Sequence, residues 1–323
     1  MSDGADPRDD LIEYDEFGLF HENIAEFGLA VPELPPVHRT HVELPDGRSL
    51  SALVWGEGPP RLVFLHGGAQ NAHTWDTVLL ALGVPAVAID LPGHGHSGWR
   101  EDGGYNSDNM ADDVAVAITA LAPHAAAVVG MSMGGMTSIA LASRHPELVR
   151  QLVVVDVTPG VNPQKAKAIH DFVNGPQSFA SFTDLLARTM EHNPTRSESS
   201  LRRGILHNAH RNADGSWQWN YDRRRQSRVA EPGDAGSEAD AERSLAEQTA
   251  VMAQLWGALE RIQSPIMLVR GMLSPVVDDD DVAECRRRQP TIRVEPVDGA
   301  GHSVQGDRPV ELAALIRDFV AGV

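Results

Sequence analysis

The segment Ala125-Ala126-Ala127-Val128-Val129-Gly130-Met131-Ser132-Met133-Gly134-Gly135-Met136 decides the fold. An apolar run reaches Gly130, a serine stands between two glycines, and a helix-length stretch from Met133 to Arg144 follows at once. That order reads as a strand turning sharply into a helix, the setting of a nucleophile elbow. The turn forces Ser132 into a strained backbone conformation, and side chains at 130 or 134 would collide with neighbouring strands, so glycine is required there. The serine hydroxyl is thereby lifted clear of the sheet.

Working outward, the same alternation recurs. Arg61 to Leu65, Pro85 to Ile89, Gln151 to Val155, Pro265 to Val269 and Thr291 to Val297 are short runs rich in Val, Ile, Leu and Ala without polar alternation, the pattern of buried parallel strands. Helix-length segments lie between or after them at Asn71 to Leu82, Ser107 to Leu121 and Pro309 to Val320. Strand-then-helix order predicts a doubly wound α/β sheet. Upstream, Thr40 to Leu44 and Ser49 to Trp55 flank Pro45-Asp46-Gly47-Arg48 and predict an antiparallel hairpin at a sheet edge.

One interval breaks the rhythm. The segment between the strands at 151 to 155 and 265 to 269 carries helix-like stretches (Pro163 to Asn174, Phe179 to His192, Ser197 to Asn208, Ala241 to Arg261), an aromatic knot Trp217-Gln218-Trp219-Asn220-Tyr221 and a polar loop Arg223 to Asp240. It predicts a helical cap over the sheet. The division is a 1–38 N-terminal extension, a 39–156 and 263–323 core, and a 157–262 cap. In the extension, residues 1 to about 10 read as an acidic tail, while Leu11, Ile12, Phe17, Phe20, Ile24 and Phe27 are expected to pack on something.

Three further strand ends carry chemistry-bearing residues. Leu65-His66-Gly67-Gly68 offers Gly68 as a second backbone N–H, beside that of Met133, to hold an oxyanion; His66 reads as a residue that orders the loop. Asp90-Leu91-Pro92-Gly93-His94-Gly95-His96-Ser97-Gly98 suggests metal through its paired histidines, but no third ligand stands at suitable spacing, so a structural loop is expected. His207 and His210, three apart on a cap helix, likewise lack a carboxylate partner in pattern. Asp298-Gly299-Ala300-Gly301-His302-Ser303 follows the last strand, where a permissive backbone lets His302 swing over the sheet edge as a base.

The order of His-Gly-Gly, Asp-Leu-Pro-Gly-His-Gly-His-Ser, Gly-Met-Ser-Met-Gly and Gly-Ala-Gly-His on successive strand ends resembles the α/β-hydrolase superfamily over residues 40 to 323. The resemblance implies an eight-stranded, mostly parallel sheet with a cap insertion and a triad in the order serine, acid, histidine. One position departs from it. Such proteins usually place the acid in a Gly-x-x-Asp turn, and here the turn reads Gly271-Met272-Leu273-Ser274-Pro275. Some capped members carry the acid at the end of the strand after the nucleophile helix, and Val153-Val154-Val155-Asp156 ends that way, so Asp156 is the expected acid. Asp278 to Asp281 read as a solvated helix N-terminus, Asp298 as ordering the His302 loop; the other reading of Asp156 is a strand-end residue bonding the cap entry.

Composition bounds the partners. With 27 Lys+Arg against 45 Asp+Glu, a formal net charge of -18 over 323 residues repels phosphate backbones and anionic headgroups, so no nucleic-acid or membrane partner is expected. The single Cys285 allows no internal disulfide and fits a reducing cytoplasm. Neither signal peptide nor anchor is read: Met1 to Asp10 lacks an apolar core, and stretches such as Val78 to Ile89 are too short to span a bilayer.

The expected activity is therefore cleavage of a carboxylic ester or lactone through an acyl-enzyme, with Ser132 as nucleophile, His302 as base, Asp156 as orienting acid, and neither metal nor organic cofactor. A serine at the elbow argues against the dehalogenase and epoxide-hydrolase branches, which use an aspartate. Trp217, Trp219, Tyr221, Phe172, Phe179 and Phe182 in the cap suggest an apolar or cyclic small-molecule substrate, or serve only to hold the cap together. Length, extension and displaced acid resemble bacterial lactone hydrolases of the zearalenone-degrading type. Two other readings stay open: a carbon–carbon bond hydrolase of ring-cleavage products, and a non-catalytic ligand receptor on the same fold.

Overall fold

The computed structural model describes residues 14–161, 164–222 and 238–320. The acidic tail, Leu11 and Ile12 lie outside these, as does residues 223–237 of the polar cap loop. In chain order the elements are α1 (Phe20–Phe27), β1 (Val37–Glu43), β2 (Ser49–Trp55), β3 (Leu62–Leu65), α2 (Asp76–Leu82), β4 (Ala86–Ile89), α3 (Ser107–Leu121), β5 (Ala127–Met131), α4 (Met133–Arg144) and β6 (Leu152–Val155). The cap segment follows with α5 (Lys167–Val173), β7 (Ser178–Phe179), α6 (Phe182–His192), α7 (Glu198–Asn208), β8 (Ala209–Arg211), β9 (Trp217–Trp219) and α8 (Glu238–Arg261). The chain then returns to the sheet through β10 (Ile266–Gly271), α9 (Asp279–Arg288), β11 (Arg293–Val297), α10 (Val304–Asp307) and α11 (Pro309–Phe319).

Eight strands form one sheet in the order β1-β2-β4-β3-β5-β6-β10-β11. The hairpin partners β1 and β2 are antiparallel, β2 is antiparallel to β4, and every later pairing is parallel. The strands without polar alternation, β3 to β6, are buried at every position, because helices cover both faces of a parallel sheet. One core layer joins Leu65, Val87 and Val128 to α3, α4 and α8; the other joins Phe64, Val129 and Val155 to α2 and α11.

The helices start where local chemistry caps them. Asn106, Ser181 and Ser197 each accept a backbone N–H of the first turn through their side chains. Asp278 and Asp281 form a reciprocal capping box on α9. The segment 71–82, which reads as one helix, splits into a 3-10 turn at Ala72–Trp75 and α2. In the extension, α1 packs on α2, with the Phe20 ring 4.9 Å from that of Trp55.

The cap holds a feature the sequence does not announce: β7, β9 and β8 form a small antiparallel sheet. The Trp217-Gln218-Trp219 knot is its central strand, and both tryptophans pack with Phe182, Leu185, Ile205 and Tyr221 in a separate apolar cluster. In the C-terminal half of α8, Leu255, Trp256 and Leu259 join the core layer beside α4. Among the described residues no helix is long and apolar enough to cross a membrane.

Candidate active site

Ser132 links β5 to α4 with φ 51° and ψ -116°, a region that L-residues avoid. The glycines around it have steric causes. A Cβ on Gly130 would meet the Gly134 carbonyl oxygen at 2.4 Å, and one on Gly134 would meet the Leu65 carbonyl oxygen at 2.3 Å. Helix α4 can therefore begin against the end of β3 only if both side chains are missing. The strain is held in place by backbone bonds: Ser132 N–H donates to Val155 O, and Met136 N–H to Ser132 O.

The structure brings Ser132, His302 and Asp156 together from three strand ends. His302 Nε2 lies 3.0 Å from Ser132 Oγ, and His302 Nδ1 lies 2.8 Å from Asp156 Oδ2. With Nδ1–H donating to the carboxylate, Nε2 is left to accept the serine hydroxyl. Asp156 is fully buried and, like Ser132, has a positive φ, 49°. Its Oδ1 accepts the Gly271 N–H at 2.9 Å and its Oδ2 accepts the Ser274 hydroxyl at 2.5 Å. A buried carboxylate so surrounded by donors is held in one orientation.

The other carboxylates lie elsewhere. Asp278 caps α9 and pairs with Lys165; that ammonium, together with the Asp281 N–H, holds its carboxyl down to about 2. Asp298 is exposed, and its carbonyl oxygen accepts from Arg308 Nε. Asp90 is a buried hub that accepts from Arg39 and from the N–H groups of Ala72 and His96. Burial would raise its pKa, but the Arg39 charge outweighs that and lowers it.

His66 is fully buried and orders two loops: its Nδ1–H donates to Gly67 O, while Nε2 accepts the Leu91 N–H at 2.8 Å. Burial lowers its pKa, which keeps this neutral tautomer. His94 Nε2 in turn accepts the N–H of Ala69, which sits at φ 59° directly after Gly68. The loop is thereby pinned with Gly68 against α4, its Cβ position 3.9 Å from Met133 Sδ and that of Gly67 3.4 Å from Ser132 Cβ. Met133 is the first residue of α4, so its N–H stands at the positive end of the helix dipole.

A cavity of about 120 Å³ lies between residues of the core and of the 157–262 segment. Gln70 and Ser303 in its wall are close neighbours of Gly68 and His302 in sequence, whereas Ser132, His302, Asp156, Gly68 and Met133 are not part of the lining. Phe172, Leu201, Ile205 and Trp219 give its wall apolar surface, and Asn71, Thr74, Arg196 and Arg203 give it polar groups. Of the cap aromatics, Trp217, Phe182 and Tyr221 pack within the cap cluster, while Trp219 and Phe172 also reach the cavity.

Two groups of residues escape sequence reasoning. Ser274, set aside as unable to be a carboxylate, donates to Asp156; its signal was its place in the turn where an acid is usual. His207 does not associate with His210, which is exposed and bonds Asn220, but with His73 and Asp76. The His73-x-x-Asp76 spacing was the only trace of that cluster.

A sheet of this order, with an elbow serine, a loop histidine and a strand-end carboxylate in register, defines the class of α/β-hydrolase-fold proteins. A family model described as the alpha/beta hydrolase fold matches residues 60–309, and the chain belongs to that family. It is 42% identical over 316 residues to the esterase Rv0045c of Mycobacterium tuberculosis, covering 96% of this chain and 97% of that protein. A solved structure of that esterase, refined alongside a study of its inhibition by transition metals, superposes with TM-score 0.80 at 41% identity, covering 95% of this chain and 99% of the other. More distantly, the chain is 28% identical to 2-(acetamidomethylene)succinate hydrolase of Mesorhizobium japonicum, over 82% of this chain and 89% of that one.

Proposed function

We propose that the protein is a serine hydrolase of carboxylic esters or lactones. The observation that carries this is the continuous Ser132–His302–Asp156 hydrogen-bonded chain behind a serine at φ 51°. In this reading His302 Nε2 takes the proton as Ser132 Oγ attacks the carbonyl carbon, and the oxyanion is held by the N–H groups of Gly68 and Met133. The imidazolium then protonates the leaving alkoxide, and water, deprotonated by His302, releases the acid from Ser132. Asp156 holds the imidazole in the required tautomer and orientation. The steps use side chains and backbone alone.

The likeness to an esterase over nearly the whole chain supports the ester class. Trp219 and Phe172 in the cavity wall favour an apolar or cyclic acyl group, and the cap at 157–262 over the 39–156 and 263–323 core forms the lid of the same reading. The single buried Cys285 suits a cytoplasmic setting. The test is a screen of aryl esters of graded chain length against lactones of matched size. Turnover of both classes equal to buffer would refute the reading.

A second reading has one observation behind it. Arg196 lines the cavity beside Arg203, which is paired with Glu26, so a substrate bearing a carboxylate, as ring-cleavage products do, would find the Arg196 cation there. Preference for an acyl chain ending in carboxylate over its methyl ester, lost in Arg196→Met, would favour it.

A further inference from the structure

His73, Asp76 and His207 meet in the cavity wall, and His207 reaches the other two from far along the sequence. His73 belongs to the 3-10 turn, Asp76 begins α2, and His207 lies in the last turn of α7 in the cap. All three are buried, and one ligand atom from each lies within 4.8 Å of the other two. The two imidazoles are stacked, centroids 3.8 Å apart and 8° from parallel, and each has one nitrogen near the same carboxylate; an ion held in the plane of both rings requires one of them to tilt out of the stack. His73 Nδ1 is 2.9 Å and His207 Nε2 3.6 Å from Asp76 Oδ2. Ligands about 2.0–2.2 Å from a tetrahedral ion stand roughly 3.4 Å from each other, between those two distances.

The remaining nitrogens are already engaged. His73 Nε2 lies 3.2 Å from Glu16 Oε1, and His207 Nδ1 lies 2.8 Å from Tyr14 Oη. An oxygen on the far nitrogen fixes the tautomer and ring orientation of a metal-ligating histidine. On the near side, His207 Nε2 and Asp76 Oδ1 are buried without a hydrogen-bond partner among the described residues. Buried polar atoms left so cost free energy unless something fills the space between them.

We propose that His73, Asp76 and His207 form a binding site for a divalent transition ion of the zinc class, which locks the cap to the core. Two imidazoles and one carboxylate suit Zn²⁺ or Co²⁺ and disfavour Ca²⁺ or Mg²⁺, which take oxygen ligands. The ion takes the place of the proton between His73 Nδ1 and Asp76, which leaves to solvent, and the fourth position opens to the cavity. Tyr14 and Glu16, which orient the two rings, come from the N-terminal extension. Extension, core and cap are thus tied at one point, and this role does not depend on what the triad cleaves.

The test is equilibrium dialysis of the chelator-stripped full chain against Zn²⁺, with thermal unfolding in parallel. We expect one Zn²⁺ per chain, a raised Tm, and, with Co²⁺, the visible absorption of a tetrahedral ion. His207→Gln should weaken binding more than ten-fold and abolish the Tm shift. Tyr14→Phe, which leaves the ligands intact, should weaken it about 10- to 100-fold. His302→Gln should bind as the parent does. No stoichiometric binding, or binding lost in His302→Gln and kept in both Tyr14→Phe and His207→Gln, would overturn the proposal.

Discussion

The Ser274 hydroxyl donates to Asp156 Oδ2 at 2.5 Å, the same oxygen that meets His302 Nδ1. Ser274 occupies the turn after β10 where proteins of this fold usually carry their acid. Asp156 follows β6, the strand next door, with Val155 paired to Val269. One strand spacing is about 4.8 Å, so a carboxylate on the neighbouring strand end can reach the same imidazole from the other side. In the proposed triad, Ser274 at the usual acid position thus helps to hold Asp156.

From this arrangement Asp156→Asn should lower kcat on the order of 10⁴-fold, since an amide cannot hold the imidazole in the required tautomer. Ser274→Ala removes one of the donors to Asp156 and should cost far less, about ten-fold or under, the price of one charge-assisted hydrogen bond being about 1.5–3 kcal/mol and only part of it falling on the transition state. Steady-state hydrolysis of an activated aryl ester measures both.

Asp278 is the sharpest contrast. It serves the N-terminus of α9, so Asp278→Ala should lower stability by about 1 kcal/mol at neutral pH and leave kcat unchanged. Its carboxyl ionises in the folded protein at about 2, below its ordinary 3.8, so its stabilisation is complete above that ordinary value. It fades as pH falls through about 2, and urea unfolding of parent and variant should converge there.

Cys285 is buried, and burial pushes its thiol up to about 12. Thiolate is the reactive form, so the folded chain should resist iodoacetamide at pH 8 and be alkylated stoichiometrically in denaturant. Mass spectrometry before and after unfolding reads this directly.

Much of this was legible in the sequence, and the reasons are physical. The strand cores were plain because a doubly covered parallel sheet admits no polar alternation, and Gly130 and Gly134 were plain because no other residue fits the elbow. The cap sheet was not, since β7 has two residues and β9 three, too short for a period to emerge. Nor was the cluster of His73, Asp76 and His207, which only the docking of α7 on the core assembles.

The elbow makes its own prediction. Gly134→Ala puts a methyl group against the Leu65 carbonyl, a backbone atom that cannot rotate away. It should destabilise by the upper end of the roughly 1–3 kcal/mol seen for overpacking, measured by urea unfolding, and lower activity as α4 shifts from Ser132.

The most direct test of the central claim is intact-mass analysis after reaction with a fluorophosphonate, paired with ester turnover by the same preparations. The account predicts one adduct per chain, mapped to Ser132, and a folded Ser132→Ala protein with neither adduct nor turnover. An adduct on another residue, or a Ser132→Ala protein that keeps most of its ester hydrolysis, would contradict it.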